Sequence, residues 1–147
     1  KSKIGNYAFT TLDPELGVME NEMKKITIAD LPGIIEGASQ GLGLGTKFLK
    51  HAYRTKFLLH LVDGTQTTQD ALKSFDIIEK ELADFHLDFS HQKRWICITK
   101  TDLIDQESLS ELIREFQTKY PSTAIYPISS LSGDGLDILS EELFKQI

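Results

Sequence analysis

Phe57-Leu58-Leu59-His60-Leu61-Val62 runs straight into Asp63-Gly64. The apolar run is too short and too continuous for a surface helix, and it reads as a buried strand closed by a turn. From Thr67 to Phe85 the pattern changes. Leu72, Phe75, Ile78, Leu82 and Phe85 recur at spacings of three and four, the apolar stripe of a helix. Thr67 or Thr68 caps it. Residues 86–93 are polar and read as a connection, and Trp95-Ile96-Cys97-Ile98 is a second strand of buried type. A strand, a helix and another strand in this order call for parallel pairing.

The same alternation continues downstream. Glu107 to Tyr120 reads as a helix with Leu109, Leu112, Ile113, Phe116 and Tyr120 inward, ended by Pro121. Ala124 to Ile128 is a strand broken by Pro127 near its end, and Leu136 to Ile147 is a closing helix carrying Leu139, Leu143 and Phe144. Upstream, Leu16 to Met19 and Lys25 to Ala29 flank the turn residues Asn21 and Glu22, which predicts a hairpin. Gly33, Gly37, Gly41, Gly43 and Gly45 mark a loop, and Thr46 to Arg54 predicts a short helix with Phe48, Leu49 and Ala52 on one face. The order is β-β-α-β-α-β-α-β-α. It predicts an α/β fold whose mostly parallel sheet is covered on both faces and carries one antiparallel edge strand from the hairpin.

Composition agrees with one folded domain. The chain has 147 residues, 40% of them hydrophobic and 26% charged, enough to bury a core without staples. Sixteen basic residues against 22 acidic ones leave a net charge of −6, which argues against gripping nucleic acid through a basic face. The single cysteine, Cys97, excludes an internal disulfide and fits a reducing compartment. No stretch is long and apolar enough to suggest a membrane span. The first residue is Lys1, so the chain is expected to be a piece of something longer.

In such folds ligands bind beyond the carboxyl ends of the strands. Asp30-Leu31-Pro32-Gly33, Val62-Asp63-Gly64, Thr99-Lys100-Thr101-Asp102 and Ser129-Ser130-Leu131-Ser132-Gly133 all follow strands. Polar, acidic and glycine-containing turns thus line one sheet edge, the layout of a nucleotide site. The bland residues are His51 and His60, which lack partners at metal-ligand spacing, and Cys97 and Trp95, which read as packing. Glu79, Glu81 and Asp84 read as a solvated helix face. Gly41-Leu42-Gly43-Leu44-Gly45 reads as a hinge, since it follows no strand.

Asp30-Leu31-Pro32-Gly33-Ile34-Ile35-Glu36-Gly37-Ala38, running on to Gly41–Gly45 and Phe48-Leu49-Lys50-His51, resembles the switch II region of the Obg family of GTPases. Asn6-Tyr7-Ala8-Phe9-Thr10-Thr11-Leu12, continuing into Asp13-Pro14-Glu15-Leu16-Gly17-Val18, resembles that family's switch I. The resemblance spans the chain, and it implies a P-loop NTPase-like three-layer domain. It also implies residue roles. Thr11, with Thr10 as second choice, would place its hydroxyl on Mg2+, and Asp30 would hold the ion through water. Gly33 would offer its N–H to the γ-phosphate of GTP. Asp102 would accept from the ring N–H and exocyclic amine of guanine, a donor pair that adenine lacks. Lys100 would lay its stem along the base. Thr99 stands where the family usually has Asn. Ser129, Ser130 and Leu131 would meet the base through backbone amides and a serine hydroxyl.

Ile34 occupies the place of the glutamine that orients the attacking water in Ras-type enzymes, and its side chain can neither donate nor accept a hydrogen bond. Hydrolysis must then rely on backbone groups, Mg2+, a monovalent cation or a partner, and it is expected to be slow. The phosphate-loop pattern G-x-x-x-x-G-K-[ST] occurs nowhere in the chain. The resemblance therefore implies a G domain entered at switch I, residues 1–147. An opening segment of about 30 residues, with first strand, phosphate loop and first helix, would precede it. The chain as it stands is expected to bind GTP poorly and to expose unpaired edges between the Ile26 strand and the Phe57 strand. The implied function is a cytoplasmic, Mg2+-dependent slow GTP/GDP switch in assembly of the large ribosomal subunit. It would have no sequence-specific nucleic-acid binding of its own. The alternative is a non-enzymatic module that uses its switch surfaces to dock a ribosomal or protein partner.

Overall fold

A computed structural model describes residues 15–31, 45–85, 88–90 and 92–147, without the side chains of residues 45–48. Strands β1 (Glu15–Glu20) and β2 (Lys25–Asp30) form an antiparallel pair. Asn21 closes the turn between them, its Oδ1 accepting from the N–H groups of Met23 at 2.9 Å and Lys24 at 2.7 Å. Helix α1 spans Gly45–Tyr53. Strand β3 (Phe57–Asp63), helix α2 (Thr68–Asp84) and strand β4 (Lys93–Thr99) make the unit from which the fold was read. Thr67 caps α2, its hydroxyl accepting from Asp70 N–H at 3.1 Å. A 3₁₀ turn at Thr101–Leu103, helix α3 (Gln106–Lys119), strand β5 (Ile125–Pro127) and helix α4 (Leu136–Gln146) complete the order.

The strands lie in two sheets. β1 and β2 form one, and the other has the order β3-β4-β5, all parallel. Among the described residues the antiparallel hairpin is thus a sheet of its own, separate from the parallel one. In the parallel sheet Phe57 pairs with Lys93, and the register runs on to Asp63 opposite Thr99. All three carboxyl ends therefore emerge on one edge. Pro127 is tolerated because β5 is an outer strand of this order.

The described residues divide into two compact units, with the division inside α2. One holds β1, β2, α1 and the later part of α2 through Gln92. Its buried apolar residues are Leu49, Ala52, Leu82, Phe85 and Phe89, with Tyr53 and Phe89 meeting edge to face at 5.7 Å. Glu81 corrects the expectation of a solvated acidic face, since it is only 7% exposed. It lies three residues after Ile78 and four before Phe85, which sets it beside the apolar stripe rather than opposite it. The other unit holds β3, the start of α2 and everything from Lys93 onward. Val62, Ala71, Phe75, Ile96, Ile98, Leu112 and Phe116 form its core, with Leu72, Leu109, Ile113, Tyr120 and Ile125 packed against it. Phe75 stands at right angles to Phe116, with centroids 5.4 Å apart. His60 stacks on Phe75 at 4.3 Å and Cys97 is fully buried, so both are packing residues.

Candidate functional site

The ends of β3, β4 and β5 carry the polar residues. β3 ends on Asp63, and Gly64 turns the chain. A Cβ at Gly64 would sit 2.8 Å from the Thr99 carbonyl oxygen and 2.4 Å from Ile104 Cδ1. The missing side chain lets Gly64 N–H donate to that Thr99 oxygen at 3.1 Å. The Thr99 hydroxyl donates back to the Val62 carbonyl at 3.3 Å. Two strand ends are thereby tied together.

Lys100 follows β4 in the left-handed backbone region, at φ 61° and ψ 36°. A side chain there costs roughly 1–2 kcal/mol, and such residues concentrate at functional sites. Its Nζ lies 2.9 Å from Asp63 Oδ2. The other oxygen of Asp63 accepts from the Thr65 hydroxyl at 2.6 Å and the Thr65 N–H at 2.8 Å. The Thr65 hydroxyl, then the Lys100 ammonium and the Thr65 amide, hold the Asp63 carboxyl down to about 2.

Asp102 sits in the 3₁₀ turn, exposed. Its Oδ1 accepts from the Ser129 hydroxyl at 2.8 Å, and Ser129 Oγ in turn accepts from Ser132 N–H at 3.0 Å. Ser129 has no exposed surface, whereas Ser130 is exposed and Leu131 is 84% exposed. The loop is closed by Gly133 N–H donating to Ser129 O at 2.9 Å and Ser129 N–H donating to Asp134 O at 3.0 Å. Gly135, at φ 78°, then opens α4, and a Cβ there would meet the Pro127 carbonyl oxygen at 2.2 Å. The arrangement fixes one carboxylate oxygen of Asp102 at the carboxyl edge of the sheet.

Thr99, Lys100, Asp102, Ser129, Ser130 and Leu131 are thus gathered at one end of the parallel sheet. Asp30 ends β2 in the other unit, exposed. Thr11, Gly33 and Ile34 lie outside the described residues, as does Thr10. From the sequence, Asp63 and Ser132 were named only as parts of the strand-end turns, with no role of their own, and Thr65 was not named. The Asp-Gly-Thr order after a strand signals a side-chain turn at Asp63, but its bond to Lys100 needs the strand register. Among the described residues no group of three or more His, Cys, Asp or Glu side chains gathers to hold a metal. No helix among them is long and apolar enough to cross a membrane.

A parallel sheet with polar and acidic turns gathered at its carboxyl edge is the α/β layout of the P-loop GTPase class. The structure of Era in complex with MgGDPNP and nucleotides 1506–1542 of 16S ribosomal RNA has this fold. It superposes with a TM-score of 0.72 and 25% identity over 92% of this chain and 45% of that one. The selenocysteine elongation factor SelB of Methanococcus maripaludis shares the fold at a TM-score of 0.68 and 20% identity, over 94% of this chain and 29% of that one. Residues 1–100 match the family described as 50S ribosome-binding GTPase. GTPase Obg of Elusimicrobium minutum is 42% identical over 148 residues, covering 100% of this chain and 32% of that protein. GTPase Obg of Desulfatibacillum aliphaticivorans is 40% identical over 149 residues, covering 100% of this chain and 44% of that protein. The chain belongs to the 50S ribosome-binding GTPase family, in its Obg group. It spans less than half the length of these relatives.

Proposed function

We propose that this chain is part of the G domain of a GTPase that binds guanine nucleotide at Asp102 and hydrolyses GTP to GDP and phosphate. The observation that carries the reading is the relay from Ser132 N–H through the Ser129 hydroxyl to Asp102 Oδ1. It presents an oriented, ionisable acceptor to the two adjacent donors of guanine. In this reading Lys100 packs along the base, and the backbone amides of Ser130 and Leu131 meet its carbonyl, since Ser129 N–H is held by Asp134 O. The Obg relatives support the same chemistry.

Thr11 and Asp30 hold Mg2+ in this reading. A hydroxyl and one carboxylate suit an ion that keeps several waters and takes its remaining oxygens from phosphate, so the lack of a three-residue cluster among the described side chains does not conflict with it. When bound, the ion neutralises charge on the phosphates. Gly33 N–H donates to the γ-phosphate. Because Ile34 brings no polar side chain to the water, turnover is slow and responds to a monovalent cation or a partner. That partner is the large ribosomal subunit. The family description and the ribosomal RNA bound to Era support a ribosomal setting, and a cytoplasmic location is part of the same proposal.

Competition of GDP, ADP and XDP for labelled GDP, on the protein at its full natural length, tests the site. GDP alone should compete. Asp102→Asn turns one acceptor oxygen into a donor, so GDP should weaken by about 10- to 100-fold while XDP gains. Equal competition by ADP would refute the guanine reading.

A further inference from the structure

We infer that Asp63 is a positioning residue for Lys100, fixing the path of the lysine stem against the nucleotide base. The inference rests on the guanine reading above and adds a residue to it. The parallel register sets Asp63 opposite Thr99, so the residue after Thr99 starts beside the carboxylate. That carboxylate is oriented independently of the lysine, because Thr65 holds Oδ1 through both its hydroxyl and its N–H. Oδ2 is then the fixed end to which Nζ comes at 2.9 Å. The other end of the stem is fixed by the left-handed backbone of Lys100. The ties of Gly64 N–H to Thr99 O and of the Thr99 hydroxyl to Val62 O hold the two strand ends at constant separation. A four-carbon stem clamped at both ends loses its rotamer freedom before a ligand arrives, which lowers the cost of packing a base on it.

Both partners are partly exposed, at 55% and 41% of their side-chain surface, so the effect is modest. Asp63→Asn is the informative change. The amide oxygen still accepts from Thr65, while the group facing Lys100 changes from a charged acceptor to a neutral donor. On the full natural-length protein, GDP and IDP should each weaken by about two- to fivefold. Their ratio should stay constant, because the missing amine of inosine is read by Asp102 and not by the stem. Asp63→Glu should restore part of the affinity. In a Lys100→Met background, Asp63→Asn should have no further effect. A merely structural Asp63 would give losses that add in the double variant, and that outcome overturns the inference, as does unchanged affinity in Asp63→Asn. Failure of the unsubstituted protein to bind GDP would overturn the guanine reading and this inference together.

Discussion

Ser129 is fully buried, and its hydroxyl has a partner on each side. A buried serine is satisfied by many environments, but this one donates to a carboxylate that faces solvent. Ser129→Ala should therefore do two things. It leaves Ser132 N–H without its acceptor, at a cost of about 1–3 kcal/mol in stability. It also frees Asp102 to turn, so GDP binding should weaken and the preference for guanine over inosine should narrow. Urea unfolding and nucleotide titration read the two effects separately, and an unchanged guanine preference would deny Ser129 its positioning role. Gly135 stands at the other end of the same loop. Its φ of 78° and the Pro127 oxygen 2.2 Å from an added Cβ leave no room for a side chain. Gly135→Ala should cost at least about 2 kcal/mol, seen as a lower urea midpoint with unchanged slope. A cost below that of an ordinary surface substitution would show that the loop can shift to take the methyl.

At the scale of elements, helix ends separate what is local from what is not. The N-terminus of α2 was readable because Thr67 lies next to the residues it caps. The C-terminus of α1 was not. Gln92, 6% exposed, donates through Nε2 to the carbonyl oxygens of Ala52 at 2.8 Å and Thr55 at 2.5 Å, from far along the chain. No spacing rule connects a helix end to a glutamine at that distance. Gln92→Ala should take from the half-buried Thr55 carbonyl its side-chain donor and loosen the last turn of α1. The amides of Arg54 and Thr55, which close that turn on His51 O and Ala52 O, should exchange with solvent faster than those of α3. Equal exchange rates in the variant and the parent would show that the helix end holds without the clamp. The hairpin, β3, β4 and the four helices were legible within a residue or two because apolar spacing is a local property. The 3₁₀ turn at Thr101–Leu103 and the backbone of Lys100 were not, since lysine has no preference for the left-handed region.

For the whole molecule the legible part of the site is the part written in contiguous motifs: Thr99 to Asp102 and Ser129 to Leu131 were named and are found together. The pairing of Asp63 with Lys100 and the relay through Ser132 depend on which strands are neighbours and in what register. The burial of Glu81 likewise escaped a charge pattern, which does not count apolar neighbours. The clearest global consequence of burial concerns Cys97 on the central strand of the parallel sheet. It has no exposed surface, and desolvation pushes its thiol from 9.0 to about 12. The folded protein keeps this proton where the unfolded chain has lost it, so the contribution to stability is complete below pH 9.0 and falls as pH rises toward about 12. Burial and then Glu142 raise Tyr126, and Glu142 raises Lys145. Both push the same way but start from 10.0 and 10.5. Between pH 9 and 10 the thiol should dominate, with a slope approaching about 1.4 kcal/mol per pH unit. Cys97→Ala should lower stability at neutral pH through the small cavity it leaves, yet flatten the decline between pH 9 and 10. Urea midpoints of parent and variant across that range decide it, and parallel declines would mean that the buried thiol does not set the alkaline limit.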